Sequence, residues 1–192
     1  MTQDAPDDPD IQAMLRLQHG EDLALNEIMD RWTPRVSSYL IRYVGNEADA
    51  ADLTQETFVA VYRARLNYRP KSKFSTWLFG IATNQARQRL RWRRRHPEVA
   101  LELDRAANRE EHPSLVQERT PGHDVLQTER ARAVRAAILD LPDDLREAVT
   151  LFEYEDLSHA EIAAIARCST KAVETRLYRA RQHLRESLAK WL

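Results

Sequence analysis

Two helix-start signals lie one short turn apart near the C-terminal end of the chain. The first is the capping box at Ser158–Glu161, sequence S-H-A-E, which opens a helix with apolar residues at helical spacing. That helix ends at Arg167-Cys168, and Ser169 is a suitable N-cap for a second helix with Val173 and Leu177 on one face. The spacing predicts a helix-turn-helix, whose second helix enters the major groove of DNA. An ordinary antiparallel helix pair with a solvated face is the alternative.

The polar side of the second helix carries groups that can reach bases or phosphates. These are Thr170, Lys171, Glu174, Thr175, Arg176 and Arg179.

The rest of the composition favours a helical, non-enzymatic protein. Four glycines in 192 residues argue for mostly helical structure. We expect a cytoplasmic protein without membrane insertion, because the acidic N-terminus lacks the apolar core of a signal peptide and no apolar run is long enough to span a bilayer. The single Cys168 fits a reducing compartment. The histidines lack metal-ligand spacing, so we expect no metal, no cofactor and no catalytic residue.

The net charge of −1 hides a strong segregation of charge along the chain. Residues 1–56 carry 12 acidic and 4 basic side chains, whereas residues 57–97 carry 11 basic side chains and no acid. Residues 98–129 are again acidic, with 8 acids and 3 bases. A basic block of this size repels itself, and a polyanion such as nucleic acid would offset that repulsion.

Helical periodicity and breakers divide the chain into two small domains. Residues 1–10 are predicted to form a disordered acidic arm, residues 11–97 a first helical domain and residues 98–124 an acidic linker. Residues 125–192 form the second domain, which ends in the helix-turn-helix. The fold class is therefore all-α. Pro34 predicts a kink or break in an early helix.

Four motifs, in order along the chain, resemble those of bacterial RNA polymerase sigma factors of the extracytoplasmic-function group. Residues 49–58 read D-A-A-D-L-T-Q-E-T-F, and residues 74–84 read F-S-T-W-L-F-G-I-A-T-N. Leu141-Pro142 precedes Arg146 as in the family's lead-in to its second domain, and residues 169–181 are similar to its recognition helix. The resemblance covers nearly the whole chain and implies sigma domain 2 followed by sigma domain 4.

The resemblance implies a site for core RNA polymerase on the first motif. Its residues are Asp49, Asp52, Gln55 and Glu56. A face of carboxylates and an amide suits an arginine-rich coiled coil. Alternatively, Asp49 and Asp52 only favour the start of a helix through its dipole, which would leave Gln55 and Glu56 unexplained.

The resemblance also implies a site for the melted minus-ten element, where an unstacked base needs a polar rim and cations hold the displaced strand. The residues are Asn67, Tyr68, Arg69, Lys71, Ser72, Lys73, Asn84, Arg87, Arg91 and Arg94. Trp77 is predicted to lie in the core, because Phe74 and Ile81 share its helix face.

The minus-35 element would be bound by Ser169 together with the polar residues of the recognition helix given above. Two departures from the family pattern occur there. Arg167 stands where the family often has glycine, so either a left-handed residue is strained there or the turn differs from the family's. Glu174 replaces a frequent lysine and could accept a hydrogen bond from a cytosine amino group.

These observations predict a sigma factor that binds core RNA polymerase and promoter DNA and has a cognate anti-sigma factor. The alternative is a conventional helix-turn-helix regulator that acts without binding polymerase. The charge map further predicts that the acidic arm and linker compete with DNA for the arginines at 91 and 93–95 in the free chain.

Overall fold

All regular structure in the described part of the protein is helical. The computed structural model describes residues 8–101 and 124–191, without the side chains of residues 124–128, and no strand occurs in these ranges. This confirms the predicted all-α fold. The predictions for residues 1–7, and for most of the linker, lie outside the described residues.

The N-terminal helical unit consists of four helices and a short 3-10 turn. Its helices are α1 (Pro9–Gln18), α2 (Ala24–Val44), α3 (Glu47–Ala64) and α4 (Phe74–Arg95), and the turn is Arg65–Asn67. Residues 97–101 are also helical, so helical structure extends past Pro97 into the predicted linker. The apolar stripes of α2, α3 and α4 meet in one core, where Tyr39, Leu53 and Phe79 are fully buried.

Helix α1 begins within the segment predicted to be a disordered arm. The Asp8 side chain accepts a hydrogen bond from the Asp10 backbone N–H, and Pro9 occupies the first turn. Both residues suit a helix start. The aspartate accepts a hydrogen bond from a backbone N–H that has no partner within the helix, and proline has no backbone N–H. An Arg31 side chain from α2 pairs with Asp10 at 2.7 Å and fixes this end of the helix.

Helix α2 continues through Pro34 instead of breaking there. Its buried face includes Ile28, Val36 and Leu40 on both sides of the proline. This continuous burial outweighs the loss of one backbone hydrogen bond. The helix ends at Gly45, whose φ of +79° is left-handed and therefore favours glycine.

The C-terminal helical unit contains the predicted helix-turn-helix. Its helices are α5 (Asp124–Leu139), α6 (Asp143–Glu153), α7 (His159–Ala166) and α8 (Thr170–Ser187), followed by a 3-10 turn at Ala189–Trp191. Both halves of the capping box form at the start of α7, where Ser158 bonds the Glu161 N–H and Glu161 bonds the Ser158 N–H. The Ser169 side chain caps α8 by accepting from the Ala172 N–H at 3.1 Å. The two cap signals in the sequence thus start the two helices of the motif.

The turn between α7 and α8 has the left-handed residue, which is the first of the two alternatives that the sequence leaves open. Arg167 has φ +53° and ψ +47°, a left-handed conformation that its Cβ disfavours. We expect Arg167→Gly to increase the free energy of unfolding by about 1 kcal/mol, because glycine adopts this conformation without steric cost. Urea denaturation monitored by circular dichroism measures the change. The control is Arg179→Gly, in the middle of α8, which should lower stability; a destabilised Arg167→Gly protein would contradict the assignment of strain.

The two helical units pack against each other. Buried residues of both units form one continuous apolar core. Leu139 of α5 lies against Gly45, where a Cβ built on the glycine would come within 2.8 Å of the leucine Cδ2. Helix α7 packs along α4, and α6 and α5 pack along α2. The C-terminal unit therefore lies on α2 and on α4, and the second of these carries six of the eleven cations of the basic block.

Candidate nucleic-acid interface

The loop between α3 and α4 forms an exposed, basic rim. Asn67, Arg69, Lys71, Ser72 and Lys73 are all exposed, as a strand-binding loop requires. Gln18 of α1 holds the base of the loop, donating from its side-chain amide to the backbone carbonyls of residues 65 and 68 at 2.7 and 2.9 Å. The rim is therefore anchored at one end.

Tyr68 is placed differently from its neighbours in this loop. The sequence analysis assigns Tyr68 to the minus-ten site, and its side chain is only 2 % exposed. Its ring packs edge-on against Trp77, with ring centres 4.7 Å apart, and against Phe74. Burial, with the nearby carboxylates of residues 8 and 10, raises the pKa of the Tyr68 phenol to about 12. Tyr68 thus belongs to the aromatic floor beneath the rim, because the ring cluster buries more apolar surface than an exposed loop position would.

Trp77 is half-buried in the same aromatic floor, so its predicted core position is only partly realised. With Asn84 and Ile81 of α4 it lines a cleft of about 630 Å³. The opposite wall of the cleft comes from α7 and the following turn, through Ile165 and Arg167. The surface next to the rim is therefore shared by both helical units.

The arginines of α4 differ widely in exposure and in partners. Arg91 and Arg94 are exposed, whereas Arg87 is half-buried. Arg87 forms a bidentate pair with Glu147 of α6, with nitrogen–oxygen distances of 2.7 and 2.5 Å. Burial alone would lower the pKa of Arg87, but the hydrogen bonds and charge of Glu147 raise it above its ordinary value. Arg94 pairs with Asp143 at the start of α6.

The predicted polymerase-binding residues on α3 separate into an exposed and a buried set. Asp52, Gln55 and Glu56 are exposed on one face of the helix. Asp49 is buried, and its two carboxylate oxygens each lie 2.5 Å from an arginine of α4, Arg89 and Arg93. Asp49 therefore joins α3 to α4 and does not share the open face, which corrects its expected placement. Two buried ion pairs on one carboxylate explain this position.

Arg89 extends the same network to the exposed face. Its guanidinium lies 3.2 Å from Glu56 and 3.9 Å from Asp52. Exposed pairs of this kind contribute little stability.

Helix α8 presents its predicted polar face to solvent. Thr170, Lys171, Glu174, Thr175 and Arg179 are exposed, while Val173 and Leu177 are buried against the rest of the unit. Lys171 and Glu174 pair with each other at 3.2 Å. This is the geometry of a helix that can enter a groove with one side and pack with the other.

Two predicted members of this set have other partners. Ser169 acts as the N-cap of α8, and Arg176 lies 3.3 Å from Asp144 of α6 and 3.7 Å from the sulfur of Cys168. Ser169 therefore also stabilises the start of α8, and Arg176 also joins α8 to α6.

Tyr178 is a candidate that the motif pattern did not single out. Its ring is 64 % exposed on the same face of α8, one turn beyond Glu174, and its hydroxyl accepts from Gln182 at 2.7 Å. A large exposed ring beside exposed polar side chains can contact a thymine methyl group. The signal in the sequence was its helical spacing from Lys171 and Glu174.

Within the described ranges, no group of three or more His, Cys, Asp or Glu residues is arranged to hold a metal ion. The same residues contain no helix long and apolar enough to cross a membrane.

Comparison with known proteins matches both helical units. The family model "Sigma-70 region 2" matches residues 28–96, and "Sigma-70, region 4" matches residues 131–184. The chain is 34 % identical to RNA polymerase sigma-H factor of Pseudomonas aeruginosa over 180 residues, which cover 93 % of each chain. It is 38 % identical to ECF RNA polymerase sigma-E factor of Escherichia coli K12 over 168 residues, or 87 % of each.

Solved structures show the same architecture. The structure of CnrH in complex with the cytosolic domain of CnrY matches with a TM-score of 0.68 and 27 % identity, covering 95 % of this chain and 99 % of that one. The fold of RpoE from Bartonella quintana, solved in complex with the anti-sigma factor NepR, matches with a TM-score of 0.65 at 23 % identity, over 87 % and 98 % of the two chains. The motifs, the fold and the relatives agree. The chain belongs to the sigma-70 family of RNA polymerase sigma factors, in its extracytoplasmic-function group.

Proposed function

We propose that the two helical units of this sigma factor, residues 11–97 and 125–192, bind different partners. The exposed face of α3 at Asp52, Gln55 and Glu56 binds core polymerase. The loop 67–73 and the arginines of α4 hold the melted minus-ten strand, and α8 reads the minus-35 duplex. Asp49 and Tyr68 support these surfaces from beneath.

One observation carries the proposal: a single chain combines an exposed acidic face on α3 with a helix-turn-helix. A conventional regulator needs only the second of these. Since the carboxylates on α3 lie within reach of an arginine of the chain itself, they already have the geometry to receive a guanidinium.

The proposed role as a sigma factor also implies the partners of the chain and its location in the cell. Polymerisation belongs to core polymerase, so the chain contributes binding and orientation and no catalytic group. It would act in the cytoplasm, where promoter DNA is transcribed. The relative CnrH was solved with a protein bound to it, and we propose that an anti-sigma factor similarly holds this chain.

Gel filtration with core polymerase free of sigma factors tests the proposal. We expect the chain to co-elute with core in a one-to-one complex and to be displaced by excess primary sigma factor. A chain that binds duplex DNA but elutes apart from core would instead support the conventional regulator.

Substitutions should separate the two DNA-binding surfaces. We expect Lys171→Ala and Arg179→Ala to weaken binding of upstream duplex DNA, because removing a base-specific hydrogen bond costs about 1–3 kcal/mol. Asn67→Ala and Lys71→Ala should leave that binding unchanged and impair promoter opening. Footprinting measures the first step, and permanganate reactivity of unpaired thymines measures the second.

Arg185→Ala, an exposed change in the last turn of α8, is the matched control and should affect neither step. If both sets of substitutions gave the same defect, the proposed division of work would be contradicted.

A further inference from the structure

Gln18, the last residue of α1, holds the loop between α3 and α4 from outside the loop. Its side-chain amide donates from Nε2 to the backbone carbonyls of Arg65 and Tyr68, at 2.7 and 2.9 Å. The two carbonyls lie 47 and 50 residues away in the sequence, and the amide reaches them because the end of α1 packs on the 3-10 turn. One side chain therefore fixes the backbone where the loop begins.

Arg69, an exposed cation of the same loop, has its guanidinium folded back on the backbone of the loop. Its Nη1 lies 2.9 Å from the carbonyl oxygen of Tyr68 and 3.4 Å from that of Leu66. Unlike Arg87 and Arg94 of α4, it pairs with no carboxylate in the described part of the chain. Neutral carbonyls alone hold this guanidinium, and a phosphate can replace them because it is charged and accepts two parallel hydrogen bonds.

The carbonyl of Tyr68 is an acceptor that Gln18 and Arg69 share. A carbonyl oxygen has two lone pairs and can accept from both. If Gln18 were absent, the departure of Arg69 would leave this carbonyl without a donor from the described residues, which costs free energy. From the shared acceptor we infer that Gln18 is a positioning residue for the displaced strand: it keeps the Tyr68 carbonyl bonded while Arg69 leaves to bind a phosphate.

The second bond from Gln18 supports the same role. The Tyr68 N–H closes the 3-10 turn by donating to the Arg65 carbonyl at 3.2 Å, and Gln18 donates to that same oxygen. Both ends of the turn are thus tied to α1, while the buried Tyr68 ring fixes the backbone from beneath. Arg69 can then turn outward by side-chain rotation alone, and such preorganisation lowers the entropic cost of binding.

The inference rests on the proposed function, and its test uses the full chain in complex with core polymerase. Gln18→Met keeps the length of the side chain and removes its donors without adding charge. Arg69→Ala removes the cation, and a double variant combines the two changes. The matched control, Tyr62→Phe, removes a different side-chain hydrogen bond at the end of α3, from the Tyr62 hydroxyl to Asp22 at 3.2 Å, and leaves the loop carbonyls bonded.

The probe is a labelled fork-junction DNA whose single-stranded arm carries the minus-ten element of a promoter mapped for this chain. Fluorescence anisotropy over a salt series measures its affinity for each complex. Gel filtration with core polymerase and urea denaturation show that every variant assembles and folds. Gln18→Asn, whose amide is one methylene too short to keep both bonds, gives the same direction of change if Gln18→Met is unstable.

We expect Gln18→Met to weaken binding of the fork about tenfold, because Arg69 stays on the Tyr68 carbonyl and one charge-assisted hydrogen bond to DNA is lost. Arg69→Ala should give a loss of similar size. The double variant should be within about twofold of Arg69→Ala, since both changes remove the same contact. In all three, the slope of log affinity against log salt should become shallower by about 0.7, the value for one phosphate of a single strand. Tyr62→Phe should match wild type in affinity and slope.

Equal affinities of Gln18→Met and wild type would overturn the inference. Additive losses in the double variant would also overturn it, because Gln18 would then act independently of Arg69. A weaker Gln18→Met complex with an unchanged salt slope would show that no phosphate contact was lost, and that Gln18 only stabilises the loop. A wild-type complex that does not bind the fork at all would instead refute the proposed function, and the inference with it.

Discussion

Replacing Asp52, Gln55 and Glu56 together by alanine is expected to weaken binding of core polymerase about a hundredfold while leaving the helical content unchanged. The three side chains are exposed and their main contact within the described structure is with Arg89, so the fold loses little. In the complex, each truncated side chain leaves a group of the polymerase unpaired. The three substitutions together should cost about 3 kcal/mol of binding free energy, which corresponds to a hundredfold weaker affinity. Titration of labelled chain with core polymerase measures it.

The matched control removes two carboxylates and one amide from another exposed surface. Glu21, Asn26 and Asp30 lie at the start of α2 and just before it, and their replacement by alanine should leave the affinity for core within about twofold, since rim charges away from a contact have small effects. Undiminished binding by the α3 variant would show that polymerase uses a different surface.

Tyr68→Ala is expected to lower the free energy of unfolding by about 3–5 kcal/mol, the usual cost of truncating a buried aromatic side chain. The ring fills the space between Trp77 and Phe74, and nothing else in the loop could replace it. Tyr68→Phe retains the ring and removes a hydroxyl that meets no partner among the described residues, so it should change stability by less than about 1 kcal/mol.

Chemical denaturation measures both Tyr68 variants, and permanganate reactivity tests their effect on promoter opening. If Tyr68 supports the loop from beneath, Tyr68→Phe opens promoters like wild type. A stable Tyr68→Ala protein that cannot open promoters would instead show that the ring leaves the core and stacks on a base.

The sequence predicted those parts of the fold that local chemistry determines. The capping box at Ser158 and the N-cap at Ser169 start α7 and α8 as expected, because each satisfies backbone donors within its own turn. The left-handed conformation of Arg167 is one of the two alternatives that the sequence left open for this turn.

Parts of the fold that depend on distant residues were harder to predict. The burial of Asp49 depends on two arginines some forty residues away on α4. The burial of Tyr68 depends on how the loop folds back on Phe74 and Trp77 at the start of α4. The continuation of α2 through Pro34 depends on the packing of its whole buried face. Helical spacing identifies which residues share a face of one helix, but it does not show which faces of two helices pack against each other.

Charge segregation predicts that the acidic arm and linker compete with DNA for the arginines at 91 and 93–95, and this stays a prediction, because residues 1–7 and 102–123 lie outside the described residues. The acidic arm and linker have the larger net negative charge, yet the carboxylates that reach Arg87 and Arg94 come from a unit whose own charge is nearly balanced. The orientation of the unit therefore matters more than its total charge.

Direction of core polymerase to specific promoters is the function on which all the proposed surfaces depend. The most direct test is transcription from total genomic DNA in vitro, by core polymerase with and without the chain, followed by mapping of transcript starts. We predict a small set of new start sites that share two sequence elements, one centred near position −10 and one near −35, and that disappear when the chain is omitted. A start-site profile identical to that of core polymerase alone would contradict this function.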